Sequence, residues 1–366
     1  MKKNLILIIL ALMPFRLFAQ SYDALWKQVD EAGKKDLPKT QIATLKKIAA
    51  KAETDRNYGQ LLSSELMAAG LQTAISPDSA DVEIARIEAK AEKAEAKDPV
   101  LAAVYYAVLG RIHGDRAPHD EGSDAKRPEY YKKAMANPDL LARHKASEYT
   151  PLISKSEDSR IFNDDLLHVI GSETGNYEAM YDYYNKVGNR PAACVVASLK
   201  SNTIAGLDSL VNTYGDLPEA GELARKRYQL MRNGFSVEQK INYIDYALDK
   251  WKGWKTLAEL RNVRKRLTNP SFRANFMYYT NIPGRTCKVD LTGIRNISEL
   301  TMKVSLLNVT AESEAVRNKR YDKLGSMIKT KDVFVRTLRY ANEKTYEQHS
   351  DSIIMDGLPV GVYLVE

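Results

Sequence analysis

The side chains best suited to chemistry in this chain are its histidines and paired carboxylates, and we ask first whether their spacing matches a known kind of site. Protein metal sites need Cys, His or carboxylate ligands at short, regular spacings. The five histidines show no such spacing: they are His113, His119, His144, His168 and His349. His113 and His119 flank an acidic stretch that could hold a cation, although its alternating charge is more typical of a solvated loop. We therefore predict no metal site.

Catalysis by a nucleophile or by an acid–base pair is not indicated either. The chain has no Gly-x-Ser-x-Gly, no glycine-rich phosphate loop and no His-Glu-x-x-His. Asp164 and Asp165 are adjacent, but sequence neighbours do not face each other on a helix, and acidic residues stabilise the start of one. We interpret both as helix-capping residues. We predict that the chain is not an enzyme, with no catalytic and no cofactor-binding residues.

The two cysteines permit a single disulfide, which is common in exported proteins. Cys194 lies in a helical pattern and Cys287 in a strand pattern, which places them in different regions. Because cysteine often packs as a small buried hydrophobic residue, we predict two buried free thiols.

The first 19 residues have the pattern of a cleavable signal peptide. Two lysines precede a short apolar run over residues 5–13, and Ala19 ends a small-residue cleavage site before Gln20. Removing residues 1–19 would remove Lys2, Lys3 and Arg16, which lowers the net charge from +7 to +4. Since Lys and Glu are interspersed, we expect no nucleic-acid partner. The mature chain should be periplasmic or extracellular, with no transmembrane segment.

Residues 20–268 are predicted to form a purely helical region. Apolar residues recur at spacings of three and four, and Asp98 before Pro99 is a typical helix start. Pairs of helices recur at roughly the tetratricopeptide length of about 34 residues, but without its full consensus. We therefore expect an irregular, solenoid-like repeat region. Residues 114–127 hold Gly, Pro and alternating charge, so we predict an exposed loop there and a sub-boundary at residues 115–128.

The later helices are rich in tyrosine, which admits two interpretations. The tyrosines are Tyr177, Tyr181, Tyr183, Tyr184, Tyr214, Tyr228, Tyr243 and Tyr246. A concave face lined by tyrosine can bind a peptide or a glycan. We favour the alternative that these rings pack between helices and keep their hydroxyl groups at the rim.

Residues 269–366 change to a strand pattern. Leu300, Met302 and Val304 alternate with polar residues, and further strands are predicted at residues 274–279, 285–291, 333–340, 352–355 and 361–366. Residues 311–331 are predicted to be a long polar excursion. A strand in which apolar and polar residues alternate has one apolar face. Two antiparallel sheets should therefore pack together through their apolar faces. We predict an α+β fold whose β-sandwich is incomplete, because the last strand runs to Glu366 without a neighbour.

Three runs in the strand region resemble a macroglobulin domain: PGRTCKV (283–289), IRNISELTMKV (294–304) and LPVGVYLV (358–365). The arrangement is similar to the first sandwich of bacterial α2-macroglobulin-family proteins, some of which carry a long helical region before it. The run WKTLAEL (254–260) resembles that junction. A generic immunoglobulin-like sandwich is the alternative, since it uses the same Pro-Gly turns.

The resemblance implies an N-terminal part of a secreted macroglobulin-like protease inhibitor that acts through protein–protein contact. Many members of the family carry a reactive thioester at Cys-Gly-Glu-Gln, which this sequence lacks. Ser236 to Gln239 matches only its last two letters and is better interpreted as a helix capping box. Two alternatives remain: a periplasmic helical-repeat interaction scaffold that binds a periplasmic or outer-membrane protein, and a glycan-binding module.

Overall fold

A computed structural model of the chain describes residues 20–116, 121–155, 158–231, 234–276, 282–309, 313–314, 318, 321–340 and 346–366. The signal-peptide prediction and His119 therefore lie outside the described residues. The architecture is α+β, with an irregular helical array followed by two small antiparallel sheets, which confirms the predicted fold class. The chain divides into two compact units at Lys200/Ser201.

The first unit is entirely helical in its described part, and most consecutive helices pack against each other. Its helices are α1 (Tyr22–Lys34), α2 (Pro38–Asp55), α3 (Tyr58–Ile75), α4 (Ala80–Glu95), α5 (Pro99–Arg116), α6 (Glu121–Ala134), α7 (Pro138–Leu141), α8 (Leu166–Thr174), α9 (Tyr177–Lys186) and α10 (Arg190–Lys200). Between α7 and α8 the described residues include two short 3-10 turns, which interrupt the series of helix pairs.

Polar residues cap many of these helices as the sequence predicts. Asp98 accepts a hydrogen bond from the Leu101 backbone N–H at 3.0 Å, with Pro99 at the first helical position. Asn57 and Asn176 cap α3 and α9 in the same way. Each cap satisfies a donor that the helix itself leaves unpaired, which explains why the boundaries fall at these residues.

The prediction of an exposed loop at residues 114–127 was wrong for the residues that the structure describes. Helix α5 continues to Arg116 and α6 begins at Glu121, so described residues on both sides of 117–120 are helical. A methyl group at Gly110 would lie 2.3 Å from the Tyr131 ring of α6. The glycines of α5 therefore allow a close approach of α6 and do not mark a break. The predicted sub-boundary lies inside the first compact unit.

The second unit begins with four helices: α11 (Ile204–Tyr214), α12 (Ala220–Leu230), α13 (Val237–Lys250) and α14 (Ala258–Thr268). The capping box predicted at the start of α13 is confirmed, because Ser236 and Gln239 exchange reciprocal side-chain-to-backbone bonds. The change from helix to strand falls between Thr268 and Ser271, as the pattern indicates. Asn296 donates to the carbonyl oxygen of Leu267 at 2.9 Å, which ties the end of α14 to the strands.

Six strands follow in the residues that the structure describes: β1 (Ser271–Phe276), β2 (Cys287–Arg295), β3 (Glu299–Leu307), β4 (Ile328–Arg339), β5 (His349–Met355) and β6 (Tyr363–Val365). They form two antiparallel sheets, in the orders β1-β2-β5 and β4-β3-β6. Strand β4 starts earlier than predicted, so the polar excursion is shorter than residues 311–331. The core between the sheets is built from inward residues of both, among them Val289, Val304 and Ile353.

The turns of the strand region place two of the resemblance runs together. Gly284 has a φ of +74°, which confirms the positive φ expected of the Pro-Gly turn. Its backbone N–H donates to the carbonyl oxygen of Leu358 at 3.0 Å. Tyr363 donates its hydroxyl to the carbonyl oxygen of Pro359 at 2.8 Å, which closes the corner before β6.

No helix in the described ranges combines the length and the apolar character that crossing a membrane requires.

Candidate functional site

The described part of the first unit has a concave surface, here called the cleft, with two adjoining parts. The first part, here called the apolar lobe, has a volume of about 650 Å³ between α3, α4, α5 and α8. Its wall is aliphatic: Leu66, Ile84, Ile87, Val104, Val108 and Ile112. Gly70 and Ala107 also line it. A methyl group at Gly70 would meet no atom within 4 Å, so small residues on these helices leave the lobe open.

The second part, here called the polar lobe, has a volume of about 600 Å³ between the 3-10 turns and α8. Its wall carries hydroxyl groups and charges of both signs: Lys145, Ser147, Lys155, Asp164, His168 and Ser172. Three residues line both lobes, namely Ile153, Val169 and Glu173. The two lobes therefore adjoin, and the second is lined by more polar residue types than the first.

The charged residues at the junction are held by neighbours within the unit. Arg111 lies 3.2 Å from the Glu173 carboxylate, which also accepts the Tyr131 hydroxyl at 3.0 Å. At the far end of the apolar lobe, Arg116 lies 2.9 Å from Asp81. These partners hold the long side chains at the edge of the apolar lobe.

Asp165 lies at the base of the polar lobe, where it is only 1% exposed. Its carboxylate accepts the His168 backbone N–H at 2.9 Å, so it caps α8 as predicted. The same oxygen accepts the Tyr184 hydroxyl of α9 at 2.8 Å. Burial raises the pKa of Asp165 to about 6, and the two hydrogen bonds oppose that rise only in part. Asp165 is thus a buried acid that joins two helices.

His168 lines the polar lobe with its ring stacked on Phe162, at a centroid distance of 3.8 Å. Burial lowers the pKa of His168 below its usual 6.5, so the imidazole is neutral near pH 7. No hydrogen bond joins this ring to Ser172 or to Asp165 within the described part of the chain. The serine, histidine and aspartate of this lobe are therefore not assembled as a nucleophile and its base.

The remaining residues that the sequence singled out are structural where the structure describes them. Both cysteines are buried and neither forms a disulfide, as predicted. Asp164 accepts the Ser159 hydroxyl at 2.6 Å and contacts Lys155 at 3.1 Å, so it holds a loop and does not cap α8. His113 stacks on Tyr130 inside the unit. Across the described residues, no group of three or more potential ligands is placed to hold a metal ion.

The tyrosines pack between helices, as the favoured interpretation predicts. Of the eight tyrosines named above, only Tyr246 is exposed. Tyr184 is fully buried and bonded to Asp165, so it cannot contact a glycan in this fold. The eight are also divided between the two units.

The cleft itself was missed by sequence reasoning. Its aliphatic residues belong to helix stripes that are typical of an ordinary core, and nothing in their spacing distinguishes a wall of a cleft from a buried face. A weak signal existed in the small residues Ala69 and Gly70 of α3, which cannot fill the space beside them.

Comparison with known proteins gives no match to this chain among family models, curated proteins or solved structures.

Proposed function

We propose that this chain is an exported protein-interaction module whose helical unit binds a peptide segment of a partner protein in the two-lobed cleft. The observation that carries the proposal is that the two lobes adjoin, with Ile153, Val169 and Glu173 lining both. A bound segment would bury apolar side chains against α4 and α5 and extend its polar end over His168. The chain would act by contact alone, as a scaffold and not as an enzyme.

The dimensions and chemistry of the cleft favour a peptide over other ligands. Each lobe falls within the range of about 300–1,000 Å³ that is typical of ligand sites. The polar lobe offers lysine, carboxylate and hydroxyl groups together, which suits the mixed donors and acceptors of a peptide backbone. Each aliphatic or aromatic side chain buried in the apolar lobe would contribute about 1.5–3 kcal/mol before the costs of association.

A matched pair of valine substitutions tests this proposal. Val108 is half-buried in the apolar lobe, whereas Val82 is 68% exposed on α4 and does not line the lobe. Peptides selected by the full chain from a random dodecapeptide library should contain an apolar stretch followed by polar residues. Val108→Glu should weaken their binding at least tenfold, because it places a carboxylate on the apolar wall, while Val82→Glu should leave binding unchanged.

Equal binding by the two variants, measured by calorimetry, would show that the selected peptides bind elsewhere and would refute the proposal. Circular dichroism of both variants establishes that the helices are intact. Failure to select any peptide would have the same consequence.

A second candidate is the inhibitor role implied by the macroglobulin resemblance. It is supported by the bonds from Gly284 to Leu358 and from Tyr363 to Pro359, which bring two of the resemblance runs into one corner. This role predicts that the full chain forms a stable complex with a secreted protease, detectable by size-exclusion chromatography with an inactivated enzyme. If no complex forms across a panel of serine, cysteine and metalloproteases, the scaffold role stands alone.

A further inference from the structure

Strand β4 presents an unpaired backbone edge on the sandwich. Within the described residues it is an outer strand of the sheet β4-β3-β6 and pairs only with β3. The Tyr340 N–H donates to the carbonyl oxygen of Ser298 at 2.8 Å, next to the pair Glu299↔Arg339. In an antiparallel ladder this alternation directs the N–H and C=O groups of Val335, Thr337 and Arg339 away from β3.

A bulge confines the regular part of this edge to Phe334–Arg339. The register of β4 against β3 is continuous from Arg339 to Phe334 and then shifts opposite Ser305. Asp332 adopts a φ of +56° at that shift, which is a left-handed conformation. We call residues 334–339 the β4 edge. Six residues in a regular register are long enough to template another strand.

The side chains of the β4 edge indicate what kind of strand would fit. Phe334 and Leu338 are half-buried and pack against the core, with Arg336 between them on the same face of the sheet. Arg336 is exposed, and no acidic side chain in the described part of the chain contacts it. A strand laid beside this edge would therefore place two apolar side chains on either side of an acidic one.

We propose that the β4 edge binds an extended segment of a partner protein with the pattern apolar-x-acidic-x-apolar. The partner strand would hydrogen-bond to the backbone of Val335, Thr337 and Arg339, and its acidic side chain would face Arg336. A second copy of this chain is a poorer occupant. When Val335 pairs with Thr337 of a second copy, two Arg336 side chains lie directly opposite, and like charges in that position are destabilising.

The test uses the full chain and a fluorescent peptide that contains Leu-Thr-Glu-Val-Leu between serine residues. Two control peptides are matched to it: one has Lys in place of Glu, and the other is N-methylated at Thr and Val, which removes the backbone donors that would face β4. We expect only the first peptide to bind, as measured by fluorescence anisotropy.

Variants of the chain separate backbone pairing from charge. Val335→Pro removes an N–H that points away from β3, so the sheet should persist while peptide binding falls more than tenfold. Val335→Thr keeps that N–H and should bind normally. Arg336→Glu should weaken the Glu peptide about fivefold and create binding of the Lys peptide.

Four outcomes would overturn the proposal. Three concern the peptide: the absence of binding at millimolar peptide, unchanged binding by Val335→Pro, and equal binding of the N-methylated peptide. Dimerisation of the chain that Val335→Pro abolishes would assign the edge to a second copy and would equally overturn it. The helical cleft plays no part in these measurements, so Val108→Glu should bind the peptide normally.

Discussion

Replacement of Asp165 by Asn should stabilise the helical unit at neutral pH, although it removes a hydrogen-bonded acid. The oxygen that accepts both the His168 N–H and the Tyr184 hydroxyl is retained in an asparagine. What the substitution removes is the negative charge, which Asp165 must carry at pH 7 in a nearly solvent-free position. Burial of that charge without a cationic partner in direct contact is unfavourable, and the raised pKa reports this cost.

The magnitude follows from the difference between the folded and unfolded pKa values. The folded value is about 6 and the ordinary value is 3.8, so ionisation costs the folded state about 3 kcal/mol at pH 7. An acid with a raised folded pKa binds more protons when folded, and its destabilising effect fades as pH falls through 6 towards 4. The advantage of Asp165→Asn should therefore shrink to roughly half of that at pH 5 and to below about 1 kcal/mol at pH 4.

Native-state hydrogen exchange of α8 and α9 in urea, at pH 7 and pH 5, measures this difference directly. Comparing the variant with the parent chain at each pH cancels the titration of all other carboxylates. Asp164→Asn is the matched control. The pKa of Asp164 is lowered by its bonds to Ser159 and Lys155, so its loss should destabilise the unit, and less so at low pH. If Asp165→Asn is no more stable than the parent at pH 7, or if its advantage does not depend on pH, the reasoning fails.

Two further predictions concern packing and thiol burial. Gly59→Ala should destabilise the helical unit by about 3 kcal/mol, because the added methyl would lie 2.1 Å from the carbonyl oxygen of Thr150. Gly70→Ala, in the same helix but with open space beside it, should stabilise by about 0.5–1 kcal/mol, and urea denaturation distinguishes the two. Cys194 and Cys287 should both resist a thiol reagent in the folded chain and both react after unfolding, whereas a native disulfide would leave neither reactive without reductant.

Local chemistry made much of the architecture predictable. The alternation of Leu300, Met302 and Val304 with polar residues placed β3 correctly, because a strand with one wet face has a side-chain period of two. The capping box at Ser236 and the positive φ at Gly284 were also predicted correctly. Each of these features is formed by residues within a few positions of one another. A short stretch of sequence is therefore enough to predict it.

Predictions failed where one residue type serves two purposes. Gly114 was interpreted as the start of a break, yet it is a place where Arg127 of α6 lies against α5. Glycine permits a turn and permits close helix packing for the same reason, the absence of a side chain. Only the position of the second helix distinguishes the two uses.

The sequence by itself determined the order of elements, the α+β class, the helix caps and the burial of both cysteines, since these follow from short-range spacing and side-chain chemistry. Tertiary structure alone decided that the two lobes lie side by side, that Asp165 contacts Tyr184, and that the last four helices share a compact unit with the strands. These features depend on contacts between residues far apart in the chain. Such contacts are selected by the packing of whole elements, which no local pattern encodes.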